Sequence, residues 1–129
     1  MIRTKLLDIS TAAGLYLIGF FAPVAEWLFL VGLFVVADFI TGIFASINEG
    51  DKFTSKKARN TVEKLAVYGV CILIAKSIQS FFFPELPAMK MVSSLIAFIE
   101  LKSIDENVKR LTGKSIFGEI IRLFKPKKE

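Results

Sequence analysis

Asp38 is the only charged residue in the apolar run from Trp27 to Asn48, WLFLVGLFVVADFITGIFASIN. A helix of that length crosses a hydrocarbon core of about 30 Å. A carboxylate in the middle of such a run is costly unless it is paired or has a function. The feature places the chain in a bilayer and marks Asp38 as the first residue to account for.

Composition agrees. Hydrophobic residues make up 53% of the 129 residues, and the mean hydropathy is +0.57. A soluble domain of this size is seldom so apolar. The length suits a single membrane domain over residues 1–129, with little left for a separate soluble unit. Ordinary enzymology has few tools here. Histidine is absent, and the one cysteine, Cys71, has no partner for an internal disulfide. No phosphate-binding loop, dinucleotide fingerprint or paired-cysteine metal spacing occurs. The sequence therefore nominates no enzyme activity, no catalytic residue, no cofactor and no metal site.

Four apolar stretches follow one another, at about 9–25, 27–48, 65–83 and 88–101. In lipid such stretches are helical, because the backbone must satisfy its own hydrogen bonds. The expected class is an all-α integral membrane protein with three to four transmembrane helices, four being favoured, and a C-terminal amphipathic helical tail. A break is expected at Pro23 to Glu26, between the first two stretches. The N-terminal segment also has the basic start and apolar middle of a secretion signal, with Ala22 and Ala25 near its end. Phe20, Phe21, Pro23 and Glu26 make that region a poor cleavage site.

Charge then sets the direction of the crossings. Arg3 and Lys5 precede the first stretch, the loop 49–64 carries Lys52, Lys56, Lys57, Arg59 and Lys64, and the tail 102–129 holds eight basic residues. Basic loops favour the cytoplasm. Four crossings with both termini and the 49–64 loop inside satisfy every loop; three crossings with an outer N-terminus are the competitor. In the tail, Ile104, Val108 and Leu111 fall at helical spacing. Beyond a break at Gly113, Ile116, Phe117, Ile120, Leu123 and Phe124 form a second apolar face. Such a basic amphipathic segment either lies on an anionic inner leaflet or docks on its own neighbours.

Polar residues at membrane depth are the candidates for function. Asp38 and Lys76 both count to near the middle of their stretches, so antiparallel neighbours would let them pair. Ala37, Thr41 and Ala45 recur every four residues, with Gly42 and Ser46 beside them, which gives a face for close helix packing within one subunit or between copies. The basic loop orients the chain and offers cations to lipid headgroups. It lacks the interleaved aromatics of a nucleic-acid platform. At the inner end of the fourth stretch, IELKSIDENVKRLTG clusters Glu100, Ser103, Asp105, Glu106 and Asn107. Lys102, Lys109 or Lys64 are available to pair those carboxylates.

These residues carry a resemblance. ADFITGIFASINEG followed by SKKARNTVEKL resembles the Asp-aromatic-Ile-Thr-Gly run and Ser-Lys-Lys loop of small phage holins of the toxin-secretion and phage-lysis type. Glu100, Ser103, Ile104, Glu106 and Asn107 in IELKSIDEN are similar to that family's Glu-x-x-Ser-Ile-x-Glu-Asn signature, with Gly113 where a glycine is expected. The matches span about residues 37–124. Two departures stand out: Lys76 lies outside the pattern, and Lys114 and Ser115 replace the usual proline.

The resemblance implies a protein of the bacterial cytoplasmic membrane that forms homo-oligomers and opens lesions, letting a muralytic endolysin reach the cell wall. It implies no enzymatic activity. The residues it singles out are Asp38, Thr41 and Gly42, then Glu100, Ser103, Ile104, Glu106 and Asn107. Ser46 and Lys76 join them as membrane-buried polar candidates on the residues alone. The partners expected are further copies of the chain, membrane lipids and an endolysin, without nucleic acid. A small oligomeric ion channel or transporter, and a non-conducting membrane scaffold, are the alternatives.

Overall fold

A computed structural model describes residues 2–51 and 55–125. They form helices α1 (Ile2–Asn48), α2 (Ser55–Ser77), α3 (Ala88–Thr112) and α4 (Ile116–Phe124), with a π-helical segment, Ile78–Phe82, continuing α2. No strand occurs among the described residues. Two helices, Thr4–Asn48 and Ser55–Phe82, are long and apolar enough to cross a membrane.

The second half of α1 packs with α2 and α3 into a three-helix bundle. Asp38 meets Lys64, and the Phe20 ring stacks on Phe81, so α1 and α2 are antiparallel. Glu100 meets Lys64 and Tyr68 while Met89 meets Gln79, so α3 runs against α2 and along α1. Val24, Val31, Val35, Ile72, Ala75, Ala88, Met89 and Ile96 form the buried core. The spacing explains why α1 faces inward where it does. Val31, Val35, Asp38, Gly42 and Ala45 alternate steps of four and three, which keeps one side of the helix toward its partners. The opposite side presents Phe29, Leu33, Val36, Ile40, Phe44 and Ile47, all exposed. Apolar surface on that scale suits hydrocarbon surroundings.

Three expectations change. The break at Pro23 to Glu26 is absent: α1 is one helix of 47 residues, and the stretches 9–25 and 27–48 are continuous. Proline removes a single amide donor, and Ala22, Val24, Ala25 and Glu26 around it are compatible with helix. The bounds 49–64 of the basic loop move: the stretch rich in Lys and Arg after Gly50 and Asp51, helix-like in its sequence, is the start of α2, which begins at Ser55 and contains Lys56, Lys57, Arg59 and Lys64. Lys52 lies outside the described residues, as do 126–129 of the tail. The stretch 88–101 and the first part of the tail are likewise one helix, α3, which ends at Gly113.

The helix ends follow known stop chemistry. At the end of α1, the Asp51 amide donates to the Ser46 carbonyl at 2.9 Å and the Gly50 amide to Ile47 at 3.0 Å, a Schellman pattern. At the end of α3, Gly113 takes φ 75°, and its amide donates to the Lys109 carbonyl at 2.8 Å. That left-handed conformation is why a glycine stands there. Pro84 and Pro87 separate the π-helical segment from α3, since neither supplies an amide donor to continue a helix.

Candidate functional site: a charged cluster inside the bundle

Lys64 stands at the centre of the site. It is on α2, its ammonium donating to Asp38 Oδ2 of α1 at 2.8 Å and to Glu100 Oε2 of α3 at 3.0 Å. One cation thus ties together all three helices of the bundle. Tyr68, one turn beyond Lys64, donates its hydroxyl to Glu100 Oε1 at 2.5 Å. Asn107 donates its amide to Asp38 Oδ1 at 2.9 Å, with the Asp38 carbonyl and the Thr41 hydroxyl oxygen each at 3.2 Å. The Thr41 hydroxyl donates back into its own helix, toward the carbonyls of Ala37 and Asp38.

Burial decides how strongly these contacts matter. The Glu100 side chain is 1% exposed, Asp38 14% and Lys64 31%. Two carboxylates share one ammonium, and Tyr68 and Asn107 donate to their other oxygens. Groups buried in this way depend on their partners, because removing one leaves an uncompensated charge in a low-dielectric setting. Asp38 lies ten residues before the end of α1, about 15 Å along the axis. The cluster therefore sits well inside the bundle.

A cavity of about 310 Å³ leads to it, lined by Asp38, Ser46, Lys57, Lys64, Ser103, Asn107 and neighbouring residues. Lys57 donates to the buried Ser46 hydroxyl in its wall. Toward that end of the bundle Arg110 clasps Glu49 with two nitrogens, Nε at 2.9 Å and Nη2 to the other oxygen. The Arg110 guanidinium holds the Glu49 carboxyl below its ordinary range by hydrogen bonding, and Glu49 in turn raises Arg110. A second cavity of about 580 Å³, wholly apolar, lies between α2 and α3 beside Cys71, Ile74, Met91 and Leu95.

The small residues of α1 are used within the subunit. Ala45 and Ser46 are buried, and a β-carbon on Gly42 would stand 3.4 Å from Asn107 Nδ2. Gly42 lets α3 come close enough for Asn107 to reach Asp38.

The two sequence motifs thus meet in space: Asp38, Thr41 and Gly42 of the first lie against Asn107 of the second, and Lys64 joins Asp38 to Glu100. Ser103 lines the polar cavity, and Ile104 is half-buried. Glu106 is not part of the cluster, since it faces outward and pairs weakly with Lys102 at 3.9 Å. Lys56 and Arg59 are exposed, Arg59 pairing with Glu63 at 3.4 Å.

The expected Asp38–Lys76 contact is corrected. Lys76 is twelve residues beyond Lys64, about 18 Å further along α2, and its ammonium lies 5.5 Å from the centre of the Phe20 ring. Counting from the apparent ends of apolar stretches placed Asp38 and Lys76 at one depth. The continuous α1 and the early start of α2 shift that register. Sequence reasoning also missed Tyr68 and the Glu49–Arg110 clasp. The i, i+4 spacing of Lys64 and Tyr68 was the available signal for the former.

Residues 15–125, which include every member of the cluster, match the family model described as the bacteriophage holin family. The chain belongs to that family. Searches of curated proteins and of solved structures give no match. Holins are non-enzymatic proteins that permeabilise membranes, so the cluster in this holin is not a catalytic centre. It is a polar clamp holding three helices in register within an apolar bundle.

Proposed function

We propose that this holin accumulates in the bacterial cytoplasmic membrane, assembles with copies of itself, and permeabilises that membrane so that an endolysin reaches the cell wall. The family match over residues 15–125 carries this conclusion. The shape of the molecule supports it: a bundle of three helices, filled by its own side chains at the core, encloses no wide channel, so a large passage requires many copies.

Three crossings come from the second half of α1, from α2 with its π-helical extension, and from α3. The end of α1, the start of α2 and the end of α3 then face the cytoplasm. Lys56, Lys57 and Arg59 occupy the first turns of α2, where no acidic residue is present and the helix dipole disfavours cations. Retention of positive charge on the inner side gives them a reason to be there. The first half of α1 continues the same helix, so its start lies on the outer side, as in the three-crossing arrangement. A straight α1 would measure about 70 Å, more than twice the hydrocarbon thickness.

Expression in a bacterium tests the function. This holin should collapse the membrane potential abruptly and, with a co-expressed endolysin, lyse the culture. Saturable flux of one solute without killing would indicate a transporter, and growth unaffected at high membrane abundance would indicate a scaffold; either result overturns the proposal.

A further inference from the structure

The helix α4 makes no contribution to the bundle: it touches only α3 among the described elements, and none of its residues is buried. Its start is nonetheless firmly built. Asp105, on α3, accepts from the Ser115 hydroxyl at 2.7 Å and from the backbone amides of Ile116 and Phe117, while the Ser115 hydroxyl oxygen accepts from the Gly118 amide at 3.0 Å. The side chain of one helix thus caps the N-terminus of the next, which fixes where α4 leaves α3.

The nine residues are sharply two-sided. At about 100° per residue, Ile116, Phe117, Ile120, Ile121, Leu123 and Phe124 occupy an arc of about 160°, with Arg122 opposite. Leu123 and Phe124 are 83% and 84% exposed. From 109 to 125 there are five basic residues against one acidic residue, Glu119; Arg110 is paired with Glu49 and Arg122 with Glu119, and Lys109, Lys114 and Lys125 make up the remaining positive charge.

We propose that α4 lies flat on the inner leaflet, its apolar arc in the acyl boundary and the basic residues that flank it against anionic phospholipid headgroups. A partner with an apolar interior and a negatively charged rim matches both faces at once. The location fits, because α4 begins four residues after α3 ends, at the end of the bundle where α1 stops and α2 starts. The Asp105 cap keeps α4 from continuing the axis of α3 into water. This surface rests on the membrane placement of the chain and not on lysis, so the two are separable by experiment.

The test uses the full chain with Cys71→Ala, carrying a single environment-sensitive fluorophore through Phe124→Cys on the apolar arc or Arg122→Cys on the opposite side. Both are reconstituted in vesicles of phosphatidylglycerol with phosphatidylcholine, or of phosphatidylcholine alone. The two leaflets of each vesicle have the same composition and iodide is loaded inside as well as added outside, so protein orientation does not matter. The expected result is a blue shift and loss of iodide quenching at position 124 but not at 122, larger with phosphatidylglycerol and reduced by high salt. Equal quenching at both positions overturns the inference. So does protection at 124 that is indifferent to lipid charge and salt, the mark of α4 docked on protein. Dye leakage from the same vesicles reports permeabilisation separately.

Discussion

Replacing Lys64 with methionine removes the one cation shared by Asp38 and Glu100 while nearly preserving side-chain length. At 2.8 and 3.0 Å each attraction amounts to about 5–6 kcal/mol for an effective dielectric of about 20. Desolvation of three charges offsets most of that. What deletion costs is set by the two carboxylates left behind, one of them 1% exposed, and breaking a buried pair in this way costs about 3–5 kcal/mol. Lys76→Met is the control on the same helix. It removes an equal charge whose aromatic contact is at 5.5 Å and costs about 0.5–2 kcal/mol. Equilibrium unfolding of the full chain in mixed micelles, followed by circular dichroism, should rank Lys64→Met well below Lys76→Met. Adding Glu100→Gln should recover part of the loss by removing one stranded charge. Equal stability of the two lysine variants would refute the clamp.

Gly42→Ala should be tolerated within about 1 kcal/mol, since helix propensity offsets the contact at 3.4 Å. Gly42→Leu should cost about 1–3 kcal/mol by overpacking and displace Asn107, which the same unfolding assay and crosslinking between α1 and α3 would register. The buried Ser93 hydroxyl has no hydrogen-bond partner, so Ser93→Ala should be neutral or stabilising by up to about 1 kcal/mol; a clear loss of stability would mean the hydroxyl is satisfied. Asp105 is held below the ordinary carboxylate range, by the Ser115 hydroxyl first and then by the backbone amides of Phe117 and Ile116. A lowered folded-state value means that its contribution is full above the unfolded value of about 3.9 and is lost as pH falls through the folded one. Protection of the Ile116 and Phe117 amides, measured against their intrinsic exchange rates, should therefore be high at neutral pH and fall in acid. Asp105→Ala should make it low at both.

Much of this was legible before the fold was known. Asp38 announces itself as a lone charge in an apolar run, and its spacing from Val31 and Val35 puts it on the core face of α1. The stop at Gly113 and the two-sided segment after it were also readable, because glycine and periodicity act locally. Lys64 was harder. It stands at the edge of an apolar stretch among other basic residues, so composition assigned it to a loop; its role comes from the register of α2 against α1 and α3. Register between helices is a tertiary property that counting from stretch ends does not capture. The continuity of α1 through Pro23 was hidden for a different reason, since a proline flanked by helix formers is compatible with either a turn or a helix.

The most direct test of the proposed function is release of size-graded dextrans from vesicles reconstituted with increasing densities of the full chain. Assembly of many copies predicts that protein-sized dextrans stay inside at low density and escape together above a threshold, with a dependence on density much steeper than first order. Release limited to ions and rising in simple proportion to density would contradict it.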